Sequence, residues 1–161
     1  MKKIAVYPGT FDPITLGHLD IIQASATIFD EVVIGLLINP QKKPMFSEEE
    51  RLVMIEKSAE ELGLTNVRIK SFKGLTVDLV REEKAIAIIR GLRLTTEYEI
   101  ELNISFNNRI LDKGVYTILV APLQEHIHIS SSAVRELLSF GKTDLDDYLS
   151  SAVLGHISQR G

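Results

Sequence analysis

Five short apolar runs punctuate the chain, at residues 4–7, 31–38, 66–71, 85–89 and 116–121. Each has the length of a strand. The run at 31–38 is nearly continuous in Val, Ile and Leu, which suits a parallel strand covered on both faces. Between the runs the apolar spacing widens to that of helices. Leu19, Ile22, Ala26 and Phe29 make one face, with Asp20, Gln23 and Thr27 elsewhere. Ser47 with Glu50 is a capping box that opens a helix to about residue 62, and Gly63 is placed to end it. A short helix is predicted over 76–83. Thr96 with Glu99 is a second candidate box. The segment after it reads two ways. Tyr98, Ile100, Leu102, Ile104 and Phe106 alternate as in a strand, while Tyr98, Leu102, Phe106 and Ile110 form an i,i+4 stripe. Length and the cap favour helix. Ser130, Ser131 and Ser132 cap a helix carrying Val134, Leu137 and Leu138, Gly141 ends it, and a last helix is expected from near Thr143.

The alternation βαβαβαβαβα predicts the α/β class: a single-domain, doubly wound, parallel five-stranded sheet of the Rossmann-like, dinucleotide-binding kind, over residues 1–161. No internal repeat or linker interrupts it. A chain of 161 residues buries roughly 70% of its unfolded surface as one domain. Hydrophobic residues at 45% and charged residues at 25% are ordinary for a globular chain. The formal charge of −4 argues against a general nucleic-acid binder. Without cysteine there are no disulfides, thiolate nucleophiles or Cys-based zinc sites. Pro8 and Gly9 end the first apolar run too early for a signal peptide, and no run reaches the length of a membrane span. A cytoplasmic protein is the expectation.

Candidate chemistry gathers where the strands end. Tyr7-Pro8-Gly9-Thr10-Phe11-Asp12-Pro13-Ile14-Thr15-Leu16-Gly17-His18 joins a strand to a helix start through a Gly/Pro-rich turn. Free amides and the positive helix end favour an anion there, with Thr10 and His18 as added donors. An ordinary βα turn has the same parts. In open α/β sheets ligands bind beyond the carboxyl ends of the strands. Lys42 follows the second run, Arg90 and Arg93 the fourth, and the serine triplet the fifth. Several phosphates would find partners on that edge. Competing readings stand beside each: Lys42 as a solvated loop lysine, Arg90 in a buried ion pair, the serines as a cap alone. His126 and His128 alternate on a segment read as extended and lack a third ligand at metal spacing. His156 has no motif around it and reads as a surface residue.

No G-x-x-x-x-G-K-[ST], G-x-G-x-x-G or G-x-S-x-G is present, which removes the main support for a P-loop kinase, an NAD dehydrogenase or an α/β-hydrolase. Thr15-Leu16-Gly17-His18 after Tyr7-Pro8-Gly9-Thr10-Phe11-Asp12-Pro13 resembles the (H/T)-x-G-H signature of the nucleotidyltransferase superfamily. Asn39-Pro40 with Lys42, Ile89-Arg90-Gly91-Leu92-Arg93, and Ile129-Ser130-Ser131-Ser132 narrow the likeness to the bacterial phosphopantetheine adenylyltransferases, over essentially the whole chain.

That resemblance implies transfer of the adenylyl group of ATP to 4′-phosphopantetheine, with Mg²⁺ carried on the ATP phosphates, a homohexamer, and feedback inhibition by coenzyme A. By position it makes Thr10, His18 and Lys42 the catalytic set, and Thr10, Lys42, Thr76 and Arg90 the contacts to phosphopantetheine. It assigns ATP to Thr10, Phe11, His18, Gly91, Leu92, Arg93, Glu101, His126, Ile127, His128, Ile129, Ser130, Ser131 and Ser132, with no protein side chain on the metal. The chain departs from the family pattern at His126-Ile127-His128, where an aromatic or serine-rich approach is common, and at Ile100, where an aromatic is common. The alternatives are another acceptor within the superfamily, glycerol phosphate or nicotinate mononucleotide, and a nucleotide sensor without catalysis.

Overall fold

All five apolar runs become strands of one parallel sheet. The computed structural model describes residues 1–160, so Gly161, the last residue of the expected domain, lies outside the described residues. The strands are β1 (Ile4–Gly9), β2 (Glu31–Leu37), β3 (Val67–Phe72), β4 (Ala87–Gly91) and β5 (Tyr116–Val120). Their order in the sheet is β3-β2-β1-β4-β5. The helices are α1 (Leu16–Ile28), α2 (Glu48–Glu61), α3 (Thr76–Glu82), α4 (Thr95–Leu111), α5 (Ser131–Ser139) and α6 (Ser151–Arg160). The chain winds outward from β1 to β3, then crosses back to lay β4 on the other side of β1. The switch point therefore lies between the carboxyl ends of β1 and β4.

Strand alternation divides the core in two. Ala5, Tyr7, Val32, Ile34, Leu36, Ala87 and Ile89 face a layer that includes Leu19 and Ile22 of α1, Met54 and Ile55 of α2, Val134 of α5 and Val153 of α6. Val6, Val33 and Ile88 face a smaller core with Leu79, Val80 and Val115. α4 buries none of its residues, and Tyr98, Ile100, Phe106 and Ile110 on it stand exposed.

The sheet opens where the switch point lies. β1 pairs with β2 through Gly9↔Leu36, but its pairing with β4 stops at Val6↔Ile88. β4 runs on beside β5 to Gly91↔Val120. Pro8 brings no amide proton to this end of β1. A crevice between two diverging parallel strands is the result.

Four expectations are corrected. The cap of α4 is Leu94 with Glu97, two residues before the predicted Thr96 and Glu99, because the Glu97 carboxylate takes the amides of both Arg93 and Leu94. β4 extends through Arg90 and Gly91 rather than ending before them. The last helix starts at Ser151, not near Thr143. Leu145 and Leu149 are buried there instead, and Tyr148 accepts a hydrogen bond from Leu16 N–H (2.9 Å), which holds the segment against the start of α1 as turns. Residues 124–126 form a 3₁₀ turn, so His126 and His128 do not alternate on a strand. The Ser47–Glu50 box and the Gly63 stop stand as expected; Gly63 takes φ 67, and Leu64 N–H returns to Ala59 C=O (3.2 Å).

Gly35 in the middle of β2 makes room for the side chains of Leu79 on α3 and Phe72 on β3. A Cβ there would stand 2.7 Å from Leu79 Cδ2 and 3.1 Å from Phe72 Cε1. Overpacking of this size costs about 1–3 kcal/mol, against about 0.5–1 recovered by removing a strand glycine. Gly35→Ala is expected to lower the unfolding free energy measured by denaturant titration. An unchanged or higher value contradicts the tight α3–sheet contact.

Candidate active site

The loop between β1 and α1 is fastened on every side. Asp12, buried to 5% exposure, accepts the amides of Met45 and Phe46 on its two carboxylate oxygens, both at 2.9 Å. Arg51, at 4% exposure on α2, donates to Thr10 C=O (3.0 Å). Arg135 on α5 donates to Asp12 C=O (2.8 Å), and Ser131 Oγ donates to Pro13 C=O (2.8 Å). Phe11 sits at φ 44, a left-handed conformation that needs such surroundings to persist. Its ring meets Tyr7 and His18 edge-on at 5.3 and 5.0 Å between centroids. Burial pushes the Tyr7 hydroxyl pKa upward, so that group stays protonated.

His18 is the third helical residue of α1 and completes its cap. Thr15 N–H donates to His18 Nδ1 at 3.0 Å, while Thr15 Oγ1 takes the His18 amide. An acceptor Nδ1 leaves the ring proton on Nε2, on a side chain that lines the crevice. Burial first, and the nearby Arg93 second, lower its pKa from 6.5 to about 4. At neutral pH His18 is thus a neutral donor, not one of the site's cations.

The charge comes from elsewhere. The crevice has a volume of about 510 Å³, and its lining holds Lys42, Arg90, Arg93 and Arg135 against one carboxylate, Glu97. Arg90 at the end of β4 is held by Glu101 of α4 through two bonds, Nε to Oε2 (2.7 Å) and Nη2 to Oε1 (2.9 Å). Two of its five N–H donors are used; the rest are free for an anion. Arg93 spans Ile129 C=O (2.6 Å) and Glu97 (2.8 Å). Among the described residues Lys42 has no carboxylate partner, and it reaches the crevice from an exposed loop. At the far wall α5 begins, with Ser130 Oγ taking Ala133 N–H (3.1 Å). Four cations, a neutral imidazole donor and a helix N-terminus at a switch point make a site for a polyanion.

Residues 6–137 match the cytidylyltransferase-like family. A phosphopantetheine adenylyltransferase of Heliobacterium modesticaldum is 44% identical over 157 residues, 98% of this chain and 92% of its own. One of Synechocystis is 42% identical over 154 residues, 96% and 95% of the two chains. The chain belongs to the phosphopantetheine adenylyltransferase family. A solved structure of a putative nicotinate-nucleotide adenylyltransferase from Vibrio parahaemolyticus superposes with TM-score 0.76 at 19% identity, over 99% of this chain and 93% of that one, and so shares the fold.

For a member of this family the structure sorts the expected residues into two groups. Thr10, Phe11, His18, Lys42, Arg90, Gly91, Arg93, Ile129, Ser130, Ser131 and Ser132 line the crevice. Thr76, Leu92, Glu101, His126, Ile127 and His128 are not part of that lining. Thr76 opens α3. Glu101 is occupied by Arg90 in a partly buried ion pair, and the same arginine lines the crevice. His126 Nδ1 lies 2.6 Å from Asp20 Oδ2 on α1, and His128 packs edge-on against Tyr148. Ser131 spends its hydroxyl proton on Pro13 C=O, while Ser130 Oγ and Ser132 Oγ accept, the latter from Arg135 (3.1 Å), so the Ser130 and Ser132 hydroxyl protons and the Ser131 and Ser132 amides are the open donors. His156 is a correction: it is half-buried and lies 3.2 Å from Glu50.

Glu97 and Arg135 line the crevice and Asp12 and Arg51 brace its loop, with no role given them from the sequence, while Thr15 was named only as the first residue of the T-x-G-H signature. Thr15 with His18 three residues on had a legible signal, because it is a capping-box spacing with His in the place of Glu or Gln. Glu97 acts locally, on Arg93 and Leu94 just ahead of it, whereas Asp12, Arg51 and Arg135 act through contacts distant in sequence.

The lowered His18 pKa has a thermodynamic consequence. The unfolded state takes up a proton below pH 6.5 and the folded state resists until about 4, so the imidazole's contribution is full above 6.5 and lost as pH falls toward 4. The loss is on the order of 3 kcal/mol. His18→Gln keeps a capping-box acceptor but does not titrate. The stability difference between wild type and this variant, from urea unfolding at pH 7, 6 and 5, is expected to shrink or reverse as pH falls. A constant difference contradicts the half-buried neutral imidazole.

Proposed function

We propose that the chain transfers the adenylyl group of ATP to 4′-phosphopantetheine, giving dephospho-coenzyme A and pyrophosphate. The observation that carries this is the convergence of Thr10, His18, Lys42, Arg90 and Arg93 on one crevice at the β1/β4 switch point. The names of the relatives supply the acceptor.

The residues present suit an in-line displacement that needs no general base. The nucleophile is a phosphate oxygen, largely ionised at pH 7 since its second pKa is near 6. It forms a bond to the α-phosphorus as the bond to the bridging oxygen breaks, and pyrophosphate leaves with the electron pair. The tasks left to the protein are alignment of two anions and compensation of their charge. Arg90, oriented by Glu101, holds the acceptor phosphate. Lys42 supplies a mobile positive charge between the reactants. His18 Nε2–H and Thr10 donate at the transferring phosphorus. The α5 amides and Arg93 hold the triphosphate. Among the described residues no group of three His, Asp or Glu is placed to hold a metal. Mg²⁺ would enter on the ATP phosphates, where it would add charge compensation.

Coenzyme A, which contains both the pantetheine arm and the adenosine diphosphate, would occupy the same crevice as a feedback inhibitor. Among the described residues no helix is long and apolar enough to cross a membrane. We place the reaction in the cytoplasm on the strength of its ATP requirement.

Lys42→Ala and His18→Ala are each expected to lower kcat by a factor on the order of 10² or more. Pyrophosphate release, assayed with ATP or CTP against phosphopantetheine, glycerol 3-phosphate and nicotinate mononucleotide, decides the acceptor. Turnover confined to glycerol 3-phosphate with CTP, or to the nicotinate acceptor, overturns the assignment. ATP binding without turnover on any acceptor makes the protein a sensor.

The exposed apolar side chains of α4, with Tyr116 and Ile118 on the edge strand β5, support self-association of this chain, and the family likeness points to six copies. Phe106→Glu is expected to reduce the mass found by light scattering. An unchanged mass removes α4 from the interface.

A further inference from the structure

The C-terminal helix carries two residues that the reaction above leaves unused. Arg160 of α6 donates from Nη2 to Met45 C=O (3.0 Å), and its guanidinium lies over the Phe46 ring at 4.7 Å. Its Nε stands 3.2 Å from Glu50 Oε1. His156, one turn earlier, brings Nε2 to 3.2 Å from the same oxygen and sets its ring edge-on to Phe46. Phe46 is thereby closed in to 1% exposure. The amides of Met45 and Phe46 already belong to Asp12. Residues 45 and 46 are thus gripped twice, from the β1–α1 loop through their amides and from α6 through a carbonyl and a ring.

Those two residues are the downstream root of the loop that carries Lys42. Upstream, Lys42 N–H and Gln41 N–H bond only to Asn39, within their own turn. The root therefore decides where a long, unpartnered lysine can place its charge, and misplacement of a reacting-centre group by an ångström is enough to cost rate.

We infer that Arg160 is a positioning residue for Lys42: α6 fastens the root of the lysine loop so that the ammonium meets the transferring phosphorus. The inference rests on the adenylyl-transfer reading. Arg160 itself is half-exposed, and ion pairs of that kind add little to global stability. The two roles are therefore separable by measurement.

Arg160→Ala is expected to leave the melting temperature nearly unchanged, to lower kcat about tenfold with KM for ATP within about twofold, and to speed Lys-C cleavage after Lys42 several-fold, as read by mass spectrometry. Arg160→Gln, which keeps a donor for Met45 C=O, is expected to recover most of the rate. In a Lys42→Ala background Arg160→Ala should bring no further loss. Full-rate turnover and unchanged cleavage in Arg160→Ala overturn the inference, and so do losses that multiply in the double variant. A wild-type protein that forms no product with ATP and phosphopantetheine overturns the underlying reading instead. The cleavage rates, which need no turnover, still report whether Arg160 holds the loop.

Discussion

The Asp12 carboxylate is the contact on which the site's geometry depends. It is short, buried and acceptor-only, and it meets two amides from a loop more than thirty residues away. A carboxylate so placed joins the end of β1 to the segment after β2, and these two segments carry Thr10 and Lys42. Arg51, Arg135 and Ser131 then add donors to the carbonyls of the same loop from α2 and α5. Carbonyls that would otherwise be free at a strand end are satisfied from three directions, so the loop has little freedom to collapse into the crevice it borders.

The crevice itself is a product of topology. β1 and β4 part after Val6 and Ile88, and their carboxyl ends diverge at the place where the winding changes direction. Each strand end delivers a group of different character. β1 gives backbone and a neutral imidazole, the loop after β2 a flexible ammonium, and β4 a guanidinium fixed by a carboxylate. Division of labour of this kind suits a reaction between two phosphates, in which some groups must hold still while one follows moving charge.

Much of this was legible in the sequence because it is written in local terms. Apolar period, the Ser47–Glu50 spacing and the glycine at 63 mark elements whose cause lies within a few residues. The strand-end residues Thr10, Lys42, Arg90 and Arg93 could be read as a set because parallel sheets bring strand ends together. What escaped was set by distant partners. Nothing near Asp12 announces Met45, and nothing near His126 announces Asp20 on the first helix. The start of α6 was misplaced for a related reason: the segment after Thr143 is held by Tyr148 C=O against Leu16, a partner on the first helix. His18 was legible as a residue of the site but not in its charge state, which burial sets.

The attachment of α4 has a consequence for how the protein moves. With no buried side chain, this helix is tied to β4 by Glu101 on Arg90, and its first turn holds Arg93, just ahead of it, through Glu97. The same two guanidiniums face the crevice. In the proposed reaction each arginine would divide its donors between a helix behind it and an anion in front of it. Local opening of α4 and occupancy of the crevice become linked equilibria, and the influence runs equally in both directions.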